Sequence, residues 1–524
     1  MKLRTIVKIA ITSSVVLLCS GFALYSFFRL SAAEGQKDFN LYELVPSTTS
    51  AVFVTDDVLE FVAEVDELTC SKNQQYLYVS KLFSYLKQSL YALSEDTPHG
   101  LSRQMNQMLI SFHEPDNERN QVLYCRLGNG DKELVNRFVR KYISSLYPPK
   151  TFIYKGEEII IYPMADGDFL ACYLTSDFMA LSFQKKLIEN VIDAYKSGKS
   201  LADDSTFTGI RAPKKSAAAA TIYTRMQGMM GWTEFDMKMK DDFIYFSGIT
   251  HDADTCFAFI NQLRQQQSVK GFPGEVLPST AFYFSRQGIT DWVSLLSYGN
   301  AQGQSVPART SEVQNRDKEF SRYLMENAGQ DLVACLFQRE DTLQGAAAVL
   351  SLSMADITEA ERMLRALVNA APADEGRRNP RITFCYTVNK AYPIYRLPQT
   401  TLFEQLTSFA EPTLDVYAAF YGGRLLLAPD ADALAHYIRQ LDKGEVLNGA
   451  MAYQTGMDHL SDSYHFMLMA DFDHIFQQSE NHVRFVPDFF LRNADFFRHF
   501  TLFVQFACAD GMVYPNIVLK YKSE

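Results

Sequence analysis

Three stretches of this chain recur later along it in the same order, so whatever they fold into has to form twice. Leu44-Val-Pro-Ser-Thr48 leads into Ala51-Val-Phe-Val-Thr55 and an apolar helix, and Val276-Leu-Pro-Ser-Thr280 leads into Ala281-Phe-Tyr-Phe-Ser285 and another. Residues 120–143 align without gaps with 345–368, which sets Leu127, Asp131, Arg137 and Arg140 against Leu352, Asp356, Arg362 and Arg365. Residues 178–207 match 424–453, with Leu181 on Leu427, Ile192 on Ile438, Gly198 on Gly444 and Leu201 on Leu447. The same register continues to Thr221-Ile-Tyr223 against Met467-Leu-Met469, and Phe243-Ile-Tyr-Phe246 resembles Phe503-Val-Gln-Phe506. Any strand followed by a helix shares an apolar pattern, so the weight lies in the collinear order. It predicts an internal duplication with its boundary near Gly271-Phe-Pro-Gly274, where Gly and Pro punctuate the chain.

Within each copy, short alternating strands dominate. Glu158–Tyr162, Ala171–Leu174 and Phe178–Phe183 read as neighbouring strands, with helices at about 129–146 and 184–196. Gly198 and Gly444 sit where a left-handed residue would end the second helix of each copy. Strand clusters interrupted by single helices predict an α+β fold with largely antiparallel sheets. The aromatic share of 13%, with 39 Phe and 28 Tyr against 2 Trp, fits rings packed on pleated surfaces.

Ahead of this body, Lys2, Arg4 and Lys8 precede a run from Ile9 to Phe28 that holds no charge, and Arg29 closes it. About 20 such residues at 1.5 Å each span a hydrocarbon core of roughly 30 Å. The run is long for a cleaved signal peptide, so we read residues 1–33 as a cytoplasmic stub and an uncleaved signal anchor. Ser31-Ala32-Ala33 keeps cleavage open, while Leu17-Leu18 before Cys19 argues against lipoprotein processing. Either reading exports the chain from about residue 34 onward, because the positive flank stays inside. The expected organisation is residues 1–33 as anchor, 34–270 as the first α+β repeat and 271–524 as the second. The protein is then a single-pass inner-membrane protein with its body on the periplasmic side and residues 9–28 contacting the membrane.

The net charge of -11 comes without a Lys/Arg stripe, which excludes nucleic acid as a partner. Beyond the anchor there are seven Cys with no C-x-x-C pair, most in apolar strand-like contexts where a free thiol acts as a small hydrophobe.

No motif carries a specific chemistry, and neither a catalytic nor a cofactor-binding residue is assigned. The nearest approach to a metal set is His465, Asp471, Asp473, His474 and His482, since imidazole and carboxylate are usual ligands. Their spacing matches no compact template, and Asp471 or Asp473 more simply caps a helix starting near Phe472. Ser84-Tyr-Leu-Lys87 and Ser182-Phe-Gln-Lys185 have the S-x-x-K spacing but lack the partner motifs that chemistry needs. Gly198-Lys-Ser200 follows a helix and lacks the first Gly of a phosphate loop. The Phe-rich tail, including Phe489, Phe490, Phe496, Phe497 and Phe500, reads as core packing, with an apolar groove as the alternative.

The single anchor, the Leu44–Thr48 segment before an alternating strand, and the duplicated body together resemble an uncharacterised bacterial envelope family defined as a domain of unknown function. That resemblance implies placement in the envelope and no catalytic residues. The expected role is a non-enzymatic, membrane-tethered periplasmic scaffold or binding module for an envelope protein or apolar ligand, with no cofactor. A lipid or polypeptide carrier with an apolar groove and a metal-assisted hydrolase are the alternatives.

Overall fold

The computed structural model describes residues 39–522 apart from 73–105, 115–118, 129–130, 139–146, 165–166, 212–217, 226–230, 252–257, 293–294, 296–310, 340–344, 371–380, 389, 408–412, 414, 478–485 and 487. The segment read as an anchor, residues 9–28, lies outside the described residues. No described helix is long and apolar enough to cross a membrane.

The fold is α+β: twenty described strands form one sheet in which the described pairings are antiparallel, and Val269–Lys270 pairs separately with Ser463–Tyr464. In the first half the order runs from Lys150–Tyr154 through Glu157–Pro163, Phe169–Leu174, Phe178–Ser182 and Gln121–Arg126. It continues through Met108–Phe112, Ala51–Thr55, Ala220–Thr224 and Trp232–Lys240 to Phe243–His251. In the second half it runs from Ile382–Tyr386 through Ala391–Arg396, Tyr417–Tyr421, Arg424–Ala428 and Ala346–Met354. It continues through Ala328–Gln338, Ala281–Gly288, Phe466–Asp471 and Phe500–Ala509 to Met512–Tyr521. Strand for strand the sequence of crossovers is the same. The half-sheets then meet edge to edge, Phe243–His251 against Met512–Tyr521.

Helices cover both faces. In the first half, Lys185–Ser197 presses Leu187, Ile188, Val191 and Ile192 onto Tyr124, Tyr173 and Phe178. In the second, Ala431–Asp442 presses Leu434, Tyr437 and Ile438 onto Phe337, Val349 and Leu426. The opposite face is one core that crosses the joint, running from Phe61, Leu123 and Ile244 to Leu519, Phe500 and Leu350. Strands that read as alternating are therefore buried throughout where helices lie above and below them. Phe178–Ser182 has no exposed position, as expected of a strand covered on both faces.

Local signals act as their positions predict. Asp57 and Asp430 cap the helices Val58–Glu67 and Ala431–Asp442 by accepting from Glu60 N and Ala433 N. Gly198 and Gly444 take left-handed φ of 63° and 75° behind their helices.

Two of the alignments shift. Leu123 faces Leu181 and Leu350 faces Leu427, so Leu123 corresponds to Leu350, two residues beyond the gap-free register. An even slip leaves each side chain on its own face, and an apolar pattern cannot register it. Phe503–Phe506 lies in the strand Phe500–Ala509, whose place in the order is that of Trp232–Lys240. The place of Phe243–His251 is taken by Met512–Tyr521. The two strands of each hairpin are similarly apolar, so the pattern does not tell one from the other.

Gly456, in the helix Met451–Met457, lies against the ring of Phe503, and a Cβ there would stand 2.2 Å from ring atoms. Alanine would favour the helix by about 1 kcal/mol. Phe503 is fully buried and has no room to yield, so overpacking, typically 1–3 kcal/mol, should win. Gly456→Ala is expected to lower the urea midpoint, and an unchanged or raised midpoint would contradict this packing.

Candidate functional site

Among the described metal candidates, Asp471 and His474 meet and no third candidate joins them as a ligand set. Asp471 ends the strand Phe466–Asp471 and caps Phe472–Phe476, accepting from the backbone of Asp473 (3.1 Å) and His474 (3.4 Å). Its carboxylate also takes the Lys522 ammonium at 2.7 Å and lies 3.4 Å from His474 Nδ1. Burial would raise the Asp471 carboxyl, but His474 and Lys522 more than offset this and hold it below its usual range. Asp473 pairs with Arg498 at 3.4 Å. His465 accepts the Cys508 N–H at its Nδ1, at the far end of the same strand. His482 lies outside the described residues. Among the described residues, no three His, Cys, Asp or Glu side chains are grouped to hold a metal ion.

The other sequence candidates are also accounted for. Ser182 is fully buried and donates to the Gln121 carbonyl at 2.7 Å, which leaves no nucleophile at the second S-x-x-K. Ser84 and Lys87 lie outside the described residues, as does Cys256. The six described cysteines are thiols, and five of them are buried. Burial pushes the Cys125 and Cys172 thiols up to about 12 and Cys508 to about 11, far from the thiolate that reactivity needs. The aromatic tail packs on itself: Phe490 lies 4.9 Å from Phe472 and 4.8 Å from Phe497, and Phe496 lies 4.9 Å from Phe500.

Two buried polar centres have no counterpart in the sequence reading. The first joins Ser111 and His113, alternate residues at the end of Met108–Phe112. Ser111 Oγ lies 2.9 Å from His113 Nε2 and 3.1 Å from Tyr124 Oη. A hydroxyl beside an imidazole is the spacing of a nucleophile and its base. Here Ser111 and Tyr124 are fully buried, and desolvation lowers His113 to about 4, too weak a base for that work at neutral pH. The trio satisfies polar groups at the end of that interior strand. Its signal, Ser and His two apart on a strand, is common and unspecific.

The second centre stands beside the segment linking the halves. The Asp331 carboxylate lies between Arg286 Nε at 3.0 Å and Arg424 at 3.2 Å, with all three side chains largely buried. Arg286 Nη1 donates to the carbonyl of Gly271 at 2.8 Å, where the Tyr464 hydroxyl also donates at 2.8 Å. Arg424 donates to Ser351 Oγ and to its carbonyl. Burial alone would raise the Asp331 carboxyl, yet Arg424 and Arg286 together hold it below the usual range. The cluster fixes the linker to the second half-sheet. In the first half Phe178 stands where Arg424 stands, so no periodic signal points to it.

Outward, the large apolar side chains that remain exposed gather at the two ends of the sheet. Of twelve among the described residues, seven fall within 147–153 and 382–388. What the described surface offers is a pair of sheet edges.

No family model, curated protein or solved structure matches the chain.

Replacing Asp331 with Asn would leave two buried guanidiniums facing a neutral amide. Losing one partner of a buried pair typically costs about 3–5 kcal/mol. D331N should show a loss of that order in urea unfolding, while E359Q, which breaks the exposed Glu359–Arg362 pair, should change little. Equal effects would refute the assigned role. His113 has a folded pKa depressed from 6.5 to about 4, so the unfolded chain binds the extra proton between these values. Its contribution is complete above pH 6.5 and is lost as pH falls toward 4, on the order of 3 kcal/mol. H113N should flatten the stability–pH curve in that window; an unchanged slope would show that His113 is not its source.

Proposed function

We propose that this chain is a non-enzymatic, membrane-tethered scaffold or binding module of the cell envelope. In this reading residues 9–28 anchor it in the inner membrane, and its body, two tandem copies of one α+β unit, lies on the periplasmic side. The observation that carries the reading is the symmetry of the sheet. Ser247 and Asn516 face each other across the joint, and each is the fifth residue of its strand. Phe243, the first, faces Lys520, the ninth, and Thr250, the eighth, faces Val513, the second. Exchanging the halves therefore maps the joint onto itself. The preceding turns agree, with Asp241 and Asp510 at φ of 50° and 52°. A duplicated unit joined in this way presents a broad body with two outer edges. Such a shape suits holding partners better than enclosing a reaction, and the buried polar centres support structure.

Two measurements test this. Protease added to spheroplasts should digest the body, and Leu17→Arg with Leu18→Arg should leave it protected inside; a body protected in the native chain would overturn the topology. A pull-down of the full chain in mild detergent should return a specific envelope partner or an apolar ligand. Repeated recovery of the chain alone would remove the binding-module reading.

A further inference from the structure

The two ends of the sheet differ in a way that selects one of them for association. At the first end, Lys150–Tyr154 begins with an exposed Lys, is followed by Lys155, and has the Lys185 ammonium 5.3 Å from the Phe152 ring centre. Lysines on an edge strand oppose pairing with another chain. At the second end, Ile382-Thr-Phe-Cys-Tyr-Thr-Val388 holds no charge and consists almost wholly of strand-favouring residues. Among the described residues its strand, Ile382–Tyr386, pairs only with Ala391–Arg396.

The backbone shows which groups face outward. Arg396 N–H donates to Arg381 O, and Thr387 N–H donates to Lys390 O, each at 2.9 Å. In an antiparallel pair, inward and outward residues alternate, so Thr383 and Cys385 also turn inward. Ile382, Phe384 and Tyr386 point their N–H and C=O groups to the free edge. The partner across from Phe384 is Pro393, which has no N–H to donate, as this phase requires. The side chains of the same three residues share one sheet face and are exposed, Phe384 by 53% and Tyr386 by 71%. Cys385 points to the other face, buried under the helix Ala431–Asp442.

We propose that Ile382–Tyr386 is a homodimer interface, pairing antiparallel with the same strand of a second copy of this chain about a two-fold axis at Phe384. Phe384 faces its own counterpart, and Ile382 faces Tyr386 of the other copy. These three residue pairs are hydrogen-bonded pairs, each exchanging two backbone bonds, and an aromatic–aromatic and two aromatic–aliphatic contacts line one face. Two identical uncharged edges meet without like-charge repulsion. The chain already makes such a junction within itself, where Phe243–His251 meets Met512–Tyr521 about its own approximate two-fold centre. The dimer repeats that operation at the outer edge and does not depend on the membrane placement proposed above.

The test is sedimentation of the full chain in mild detergent, from nanomolar to about 100 µM. A dimer is expected, with F384K shifted to monomer and I153K, at the opposite end, unchanged. Phe384→Cys should form an intermolecular disulfide on mild oxidation, while Ile153→Cys should not. Because both side chains are exposed, circular dichroism of the variants should match the parent. A monomer throughout the range, a dimer unaffected by F384K, or no F384C cross-link would overturn the proposal. A different polypeptide lost on F384K, with no self-association, would assign the edge to a foreign strand and overturn it equally.

Discussion

The pairing of Phe243–His251 with Met512–Tyr521 is the interaction on which the rest of the molecule depends. Each half ends in a hairpin whose last strand would otherwise be an open edge, with a row of unpaired backbone groups. Joining them turns two edges into the interior of one sheet and lets a single apolar core pass beneath both halves. Ile244 and Leu519, partners across the joint, both belong to that core. The ladder accommodates one irregularity. Between Ser247–Asn516 and Thr250–Val513 the register passes over two successive pairs, the first of them Gly248 opposite Pro515, which offers no N–H. A Cβ at position 248 would stand 2.6 Å from the Phe235 ring, so a larger residue there would have to displace that ring.

Within that joined sheet, the halves were free to differ in polar detail. The guanidinium of Arg424 reaches Asp331 and closes the linker against the second half-sheet, whereas Phe178, at the matching place, is simply core. The Ser111–His113–Tyr124 trio belongs to the first half alone. Neither arrangement repeats, so neither is required by the fold. The features that do repeat are the order of strands, the helix behind Phe178–Ser182 and Arg424–Ala428, and the turns at Asp241 and Asp510.

Legibility in the sequence depends on whether a feature leaves a period there. The α+β class, the strands around 157–183, the Asp471 cap and the left-handed Gly198 and Gly444 are local, and local rules find them. The strand register of 120–126 is displaced by two residues, because pleating repeats every two and both registers bury the same side chains. The last strand of each half is indistinguishable from its hairpin partner because Phe503–Phe506 and Phe243–Phe246 are equally apolar. The buried centres are invisible for another reason. Arg286, Asp331 and Arg424 are 45 to 138 residues apart and come together only through strand pairing. The histidines and aspartates near the C-terminus stand out by density along the chain, and among the described residues no three of them are grouped to hold a metal ion.

The contrast between the outer edges follows from the same physics as the inner joint. An open sheet always has two ends, and if both accepted a strand, copies could add head to tail without closing. Lysine at Lys150–Tyr154 makes one end a poor template, and the uncharged Ile382–Tyr386 leaves the other open to pairing with its own copy. An isologous contact at one end closes after two copies. The asymmetry between KTFIY and ITFCY thus sets a limit on growth that the symmetry of the fold does not supply.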